Sequence, residues 1–156
     1  MIKKTLSLLA VACGLVAGTH GAHAAEDGQQ LYGANCGLCH QAGATGVPGQ
    51  FPPLKGRLDV IAGSPEGKTY LSHLVLNGMT GSIQAGGATY MGYMPSFRAM
   101  TDEQLAAILT YVSHLGGNAS APSFTADEIH AARDATMPPT AVLQERNALN
   151  DKKKLP

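Results

Sequence analysis

Apolar residues recur at helical spacing along much of the chain, and this pattern predicts a mainly helical protein. The clearest helix follows a capping box in which Thr101 is the N-cap and Gln104 is the third helical residue. Its apolar face consists of Leu105, Ile108, Leu109, Val112 and Leu115. A second helix is expected to begin at Pro65, with Ser64 as its N-cap, and to run to about Asn77, where Gly78 ends it. We therefore predict an all-α fold class.

A further short helix is predicted over residues 26–35, where Gly28, Leu31 and Tyr32 share one face. A small residue beside an aromatic one on that face favours close packing against another helix. Residues 41–58 are rich in glycine and proline, so this segment is predicted to be a loop.

One short β-hairpin is expected to interrupt the helices. Residues 83–85 and 88–90 flank Gly86-Gly87, which is typical of a tight hairpin turn. The second strand leads to Met94, which precedes Pro95. A proline disfavours helical backbone in the residue before it, so Met94 is expected to be extended and to present its thioether.

The first 24 residues have the pattern of a secretory signal peptide. Lys3 and Lys4 form a charged start, an apolar stretch covers residues 6–16, and residues 22–24 fit the small-x-small cleavage rule. We therefore predict export to the periplasm, with the mature chain starting at residue 25.

Two ways of attaching the protein to a membrane are disfavoured: a lipoprotein anchor and a membrane-spanning helix. Anchoring as a lipoprotein through Cys13 would need a lipobox, but residues 10–12 lack its usual leucine. The apolar stretch of the signal is too short to span a bilayer, and no later segment is apolar enough. We therefore expect no membrane span.

Beyond the last strong helix the chain continues as an extension. Thr125 begins a short helix that is expected to reach about residue 135. The polar tail after Met137 is expected to pack on the main domain for part of its length and to fray at its end. So short a helix must pack against its own domain or against a partner protein. The predicted organisation is a signal peptide over 1–24, a main domain over 25–117, and an extension with one short helix and a frayed tail over 118–156.

The charge balance excludes one class of partner. The whole chain has a formal net charge of zero, and removal of the signal leaves nine basic and eleven acidic side chains. There is no basic patch in the main domain, so nucleic acid is not an expected partner.

Residues 36–40 read Cys-Gly-Leu-Cys-His, the attachment signature of a c-type haem. Residues three and four apart share one face of a helical turn. Cys36 and Cys39 can therefore form thioether bonds to neighbouring vinyl groups of one porphyrin, and His40 can serve as an axial ligand. The motif predicts one covalently attached haem c. Since Cys13 leaves with the signal, no cysteine remains for a disulfide.

The two alternative interpretations of this motif lack supporting residues. A structural zinc site needs a second ligand pair, and no second cysteine pair exists. A thioredoxin-type redox pair belongs at a strand-to-helix junction in a βαβ pattern, which does not surround residues 36–40.

Residues 26–115 resemble the class I monohaem periplasmic cytochromes c. The shared features are Gly28 and Tyr32, the motif at 36–40, Pro52-x-Leu54-x-Gly56, Met94-Pro95, and Tyr111 in the last helix. A looser similarity links the hairpin region to cytochrome domains that serve quinoprotein dehydrogenases or copper nitrite reductases.

This resemblance implies a class I cytochrome c fold with a short hairpin in the methionine-ligand loop and a C-terminal extension. It implies that the first and last helices of the main domain cross. It also implies that the carbonyl of Pro52 accepts a hydrogen bond from His40, and that Met94 is the sixth iron ligand. The residues alone leave open whether the proline-rich stretch does this or is an ordinary rigid turn.

Six methionines are present, and Met1 leaves with the signal. Met94 is favoured as the ligand because the hairpin and Pro95 present it, while Met91 is the serious rival. Of the other methionines, Met79 directly follows a helix cap, Met100 is expected in the core, and Met137 lies in the tail. His73 is expected to be a solvent-facing or hydrogen-bonded side chain rather than a ligand. Histidine ligation or an open iron position is the remaining alternative.

The function expected from these residues is periplasmic electron transfer through a His/Met-ligated haem, without enzymatic activity or a small-molecule substrate. The expected partners are redox proteins such as a quinoprotein dehydrogenase, a copper nitrite reductase or a terminal oxidase. One alternative is a haem subunit permanently bound to a dehydrogenase or reductase. Another is a gas-binding or peroxidase-like protein with an open iron site.

Overall fold

The computed structural model describes residues 27–152 and 155–156. The predicted signal peptide, with Cys13, lies outside the described residues. Within the described part, no helix combines the length and apolar character that crossing a membrane requires.

The described residues form seven helices and two strands. In chain order they are α1 (Gly28–Asn35), α2 (Gly37–His40), α3 (Leu58–Ala62), α4 (Pro65–Asn77), β1 (Met79–Ala85), β2 (Ala88–Met94), α5 (Asp102–His114), α6 (Ala126–Ala132) and α7 (Pro139–Asp151). The fold is therefore mostly helical, with one small sheet.

Helix α1 crosses α5 through its first residue, Gly28. Asp27 caps α1 by accepting hydrogen bonds from the next backbone amides. A Cβ at Gly28 would lie 2.3 Å from the carbonyl oxygen of Ala107, so only glycine allows this approach. The rings of Tyr32 and Tyr111 also meet, with centroids 5.6 Å apart. This contact joins the two ends of the main domain.

Helices α4 and α5 begin at the expected caps. Ser64 accepts a hydrogen bond from the amide of Gly67, and both halves of the capping box at Thr101 and Gln104 are formed. The short helix α3 was not predicted, because its five residues follow directly on a proline-rich loop and offer no full helical repeat.

The hairpin turns at Gly86-Gly87, where both glycines have positive φ, but its strands are longer than the sequence predicted. The antiparallel register pairs Ile83 with Tyr90 and Met79 with Met94. Residues that alternate along the strands share one face. The buried side chains of Ile83, Ala85 and Tyr90 lie on that face and form a small core of their own.

The C-terminal extension differs from its prediction, because a second helix, α7, occupies most of the segment that was expected to be an irregular tail. The prediction of a single short helix in the extension is wrong. Val142, Arg146 and Leu149 are all buried and lie on one face of α7, at spacings of four and three residues. The sequence pattern did not indicate a buried face on this helix because Arg146, a charged residue, lies at its centre. Both α6 and α7 pack against α4, while α6 also contacts α5 and α7 contacts β1.

Candidate haem site

The motif at residues 36–40 lies at a break between α1 and α2. The amide of Cys36 donates to the carbonyl of Tyr32 over 2.8 Å, which ends α1, and the amide of His40 donates to the carbonyl of Cys36 over 2.9 Å. These bonds form one compact turn, and the side chains of Cys36, Cys39 and His40 all line the same cavity. Neither cysteine forms a disulfide.

Burial raises the pKa of the Cys36 thiol to about 11, and the nearby Cys39 adds to the shift. Cys36 therefore remains protonated at neutral pH and is a poor thiolate nucleophile or zinc ligand. This environment argues against a thioredoxin-type redox pair, in which the thiol pKa is lowered.

His40 is buried, and its Nδ1 lies 3.0 Å from the carbonyl oxygen of Pro52. A carbonyl only accepts, so Nδ1 must carry the proton and the lone pair must lie on Nε2. Burial lowers the pKa of His40, while the hydrogen bond to Pro52 opposes that change. The ring is therefore neutral at pH 7, with Nε2 available to a metal.

A folded loop holds Pro52 in position. The amides of Leu54 and Lys55 both donate to the carbonyl of Ala44, which is fully buried. Gly46 has φ +68, and a Cβ there would lie 2.3 Å from the carbonyl oxygen of Phe51. Only glycine at residue 46 therefore allows the loop to adopt this conformation. The resulting rigid backbone holds the carbonyl of Pro52 against His40.

Met94 ends β2 beside α4. At Gly78, which directly follows α4, a Cβ would lie 2.5 Å from the carbonyl oxygen of Met94. Just beyond Met94, the Ser96 hydroxyl donates to the carbonyl of Leu76 over 2.6 Å, and the amide of Phe97 donates to that of Val75 over 2.8 Å. The backbone around Met94 is thus fixed on both sides.

The methionines differ in where the structure places them. Met94 is half-buried and lines the cavity, whereas Met91 lies at the cavity rim with 77% of its surface exposed. Met79, the strand partner of Met94, also lines the cavity, and its sulfur lies 3.9 Å from the hydroxyl of Tyr70. Met100 and Met137 pack against the core and do not line the cavity.

The cavity has a volume of about 450 Å³ and brings together all five predicted site residues: Cys36, Cys39, His40, Pro52 and Met94. Apolar side chains complete much of its wall, among them Leu58, Ile61, Leu71, Leu74 and Phe97. Two thiols on one turn, a buried imidazole with Nε2 available, and a thioether in an apolar cavity fit a haem c.

Two arginines in the cavity wall were missed by the sequence analysis: Arg57 and Arg146. The only sequence feature that could have placed Arg57 near the cavity is its position directly after the Pro52-x-Leu54-x-Gly56 segment. No sequence feature placed Arg146 there, because its segment was predicted to be a polar tail. His73, which was not expected to be a ligand, lies 2.9 Å from a carboxylate oxygen of Glu145 and does not line the cavity.

The family model for cytochrome c matches residues 25–116. A cytochrome c-552 of Thermus thermophilus is 36% identical over 152 residues, which cover 95% of this chain and 98% of the relative. This similarity must therefore extend into the region after residue 116. The cytochrome c subunit of a quinone-type alcohol dehydrogenase from Gluconobacter oxydans is 30% identical over 116 residues, 71% of this chain and 23% of the relative.

These comparisons confirm the resemblance on which the fold and cofactor predictions rest. The family carries haem c in covalent attachment, and its members transfer electrons. This chain therefore belongs to the cytochrome c family, as a class I monohaem member.

Proposed function

We propose that this protein is a periplasmic electron carrier whose haem c is attached through Cys36 and Cys39 and ligated by His40 and Met94. The observation that carries this proposal is the shared cavity, in which the available Nε2 of His40 and the thioether of Met94 occur with both cysteines. Residues 25–117 would form the haem domain, with residues 118–156 as an extension of it.

The bound haem supplies a one-electron couple, and the protein's residues set its properties. A thioether ligand favours the ferrous state and so raises the potential. The Pro52 carbonyl fixes the tautomer of His40 and increases the basicity of its other nitrogen. If His40 and Met94 both ligate the iron, no position would remain there for a substrate, so we propose that the protein is not an enzyme.

Exposed apolar side chains offer a place for brief encounters with redox partners. Leu38 lies inside the attachment motif with 88% of its surface exposed, and Met91 and Tyr93 are exposed at the cavity rim. Small, weakly held interfaces suit carriers that must bind and release quickly. The proposed partners are redox enzymes such as a quinoprotein dehydrogenase, a copper nitrite reductase or a terminal oxidase.

A second candidate function is that of a fixed subunit in a redox enzyme complex. It is favoured by the similarity to the cytochrome subunit of the Gluconobacter dehydrogenase. Gel filtration of the protein from its native host distinguishes the two, because a carrier elutes alone and a subunit elutes with its enzyme.

The ligand assignment is tested with the variants Met94→Ala and Met91→Ala. In the ferric holoprotein, Met/His ligation gives a weak sulfur-to-iron absorption band in the far red. We expect Met94→Ala to lose this band, to lower the potential and to let the ferrous protein bind carbon monoxide. Met91→Ala, which alters an exposed residue of the same strand, should retain the band.

If Met91→Ala loses the band and Met94→Ala keeps it, the assignment is wrong. Rapid binding of carbon monoxide to the unaltered protein would favour the gas-binding alternative.

A further inference from the structure

An irregular connector, residues 95–101, joins Met94 at the end of β2 to the first residue of α5. One set of contacts binds this connector to α4. Besides the two hydrogen bonds to α4 already described beside Met94, Nη1 of Arg98 donates to Oδ1 of Asn77 over 3.4 Å. Asn77 is the last residue of α4. These contacts all lie within the main domain, and they restrain the backbone that follows Met94.

A second set of contacts binds the connector to the extension through Arg133, which ends α6. Its Nη1 donates to the carbonyl of Arg98 over 2.8 Å, and its Nη2 donates to the carbonyl of Met100 over 2.6 Å. Its Nε donates to a carboxylate oxygen of Asp102, the first residue of α5. A guanidinium presents its N–H donors in a fixed planar arrangement, so one side chain restrains three points along this part of the chain.

Arg98 returns these contacts from the connector to the extension. Its Nη2 donates to the carbonyl of Arg133 and also, over 3.1 Å, to the hydroxyl of Thr136. Each of the two arginines therefore donates to the backbone of the other. Hydrogen bonds with a charged donor are stronger than those between neutral groups, so this reciprocal pair is a firm attachment.

Asn77 joins the extension to the end of α4 as well. It is 8% exposed, its Nδ2 donates to the carbonyl of Ala135 over 3.2 Å, and its Oδ1 accepts from the amide of Met137 over 3.3 Å. The next residue is Gly78, which approaches the carbonyl of Met94 closely. The extension is therefore bound to both parts of the main domain that hold Met94: the end of α4 and the connector.

These contacts bear on how long Met94 stays on the iron. A thioether favours ferrous iron, so the ferric state holds it less firmly. To move its sulfur out of the cavity, Met94 must shift the end of β2 and the connector behind it, because its backbone is fixed on both sides. Such local openings become rarer as more contacts must break together.

We propose that Arg133 is a positioning residue for the sixth ligand: by holding the connector from the extension, it slows the detachment of Met94 from ferric iron. This inference rests on the proposed function, in which Met94 ligates the haem iron. Arg133 does not line the cavity, so it acts through the backbone of the connector rather than by contact with the cofactor. The extension thus helps to keep the iron six-coordinate between electron transfers.

The experiment mixes the ferric holoprotein with imidazole, a small ligand that can take the sixth position once Met94 leaves it. Loss of the far-red band is followed by stopped flow at rising imidazole concentration. The rate reaches a limit at high concentration, and this limit is the rate at which Met94 detaches. Urea unfolding of each variant gives its overall stability for comparison.

The variants are Arg133→Gln, Arg133→Lys and Thr136→Val. The matched control is Lys68→Gln, because Lys68 also joins the main domain to the extension, but it does so from α4 to Glu128 rather than from the connector. The control loosens the extension while the contacts of Arg133 remain.

We expect the limiting rate to rise at least about tenfold in Arg133→Gln, as the loss of one charged hydrogen bond implies. Arg133→Lys should recover only a small part of this change, because an ammonium keeps the charge beside Asp102 but lacks the planar set of donors. Thr136→Val removes one acceptor of Arg98 and should raise the rate by about two- to fivefold. Lys68→Gln should leave the rate unchanged.

Two results would overturn the proposal. The first is a limiting rate for Arg133→Lys and Thr136→Val that matches Lys68→Gln, which decides the question even if Arg133→Gln fails to fold. The second is an equal acceleration in Lys68→Gln, since the rate would then follow overall stability rather than the connector. The unaltered protein separates this test from the proposed function: absence of its far-red band refutes ligation by Met94, whereas an intact band with equal rates refutes only the role of Arg133.

Discussion

Gly28 lies against Ala107 so closely that a Cβ on Gly28 would be 2.3 Å from the Ala107 carbonyl oxygen and 2.9 Å from Cβ of Tyr111. The neighbouring atoms are mostly backbone, which cannot move aside as a flexible side chain can. The crossing of α1 and α5 therefore depends on the absence of a side chain at residue 28.

We expect Gly28→Ala to destabilise the holoprotein by about 1–3 kcal/mol, the usual cost of inserting a carbon into a packed contact. The control is Gly33→Ala in the same helix, where an added Cβ meets nothing within 4 Å. That control should be neutral or slightly stabilising, because alanine favours a helix by about 1 kcal/mol over glycine. Urea unfolding monitored by circular dichroism measures both, and equal stability of the two variants would contradict the described crossing.

The covalent attachment makes a separate prediction. The mature protein should carry one haem mass that survives denaturation, because Cys36 and Cys39 lie on one turn at the cavity. Cys36→Ala and Cys39→Ala should each reduce the yield of mature holoprotein and weaken retention of the haem. Leu38→Ala is the control, since Leu38 lies between the cysteines but is exposed. Mass spectrometry under denaturing conditions gives the result, and normal maturation of either cysteine variant would refute the attachment sites.

The extension is expected to stabilise the domain through its buried apolar residues. Ile129 of α6 has no exposed surface, and the aromatic ring of Phe124 beside this helix lies 4.9 Å from the ammonium of Lys68. Ile129→Ala should cost about 2–5 kcal/mol, whereas Val60→Ala, at a site with 53% exposure, should change stability by less than about 0.5 kcal/mol. Thermal unfolding of both holoproteins tests this, and equal midpoints would show that α6 does not pack as described.

Local signals predicted much of this fold. The caps at Ser64 and Thr101 and the turn at Gly86-Gly87 each depend on a few neighbouring residues, so the sequence pattern alone located them. The cysteine motif is likewise local. Strand lengths were underestimated because Thr80, Gly81 and Ser82 in the outer part of β1 do not alternate with apolar residues, and Gly92 lies within the outer part of β2.

Long-range contacts explain what the sequence could not predict. Helix α7 is polar in composition, and its buried face becomes apparent only when α4 and β1 lie beside it. Arg146 would be expected on the surface of such a helix, yet its acceptors are Tyr70 and Gln84, from distant parts of the chain. For the same reason, the approach of Arg57 and Arg146 to one cavity could not be inferred from their separation in sequence.

The contact between α4 and α6 should be sensitive to acid. Burial tends to raise the pKa of Glu128, but hydrogen bonds from Lys68 and Thr125 outweigh it and leave the pKa below its usual value. A lowered carboxylate pKa in the folded state stabilises the fold above the unfolded pKa of about 4.3, and this contribution disappears as the pH falls through the folded value. Stability should therefore decline below about pH 4.5 in the unaltered protein, and it should decline less steeply in Glu128→Gln.

The control is Asp127→Asn, which alters an exposed acid in the first turn of the same helix and should retain the decline. Urea unfolding between pH 3 and pH 7 gives the slopes, and parallel curves for Glu128→Gln and the unaltered protein would show that the Lys68–Glu128 pair does not contribute.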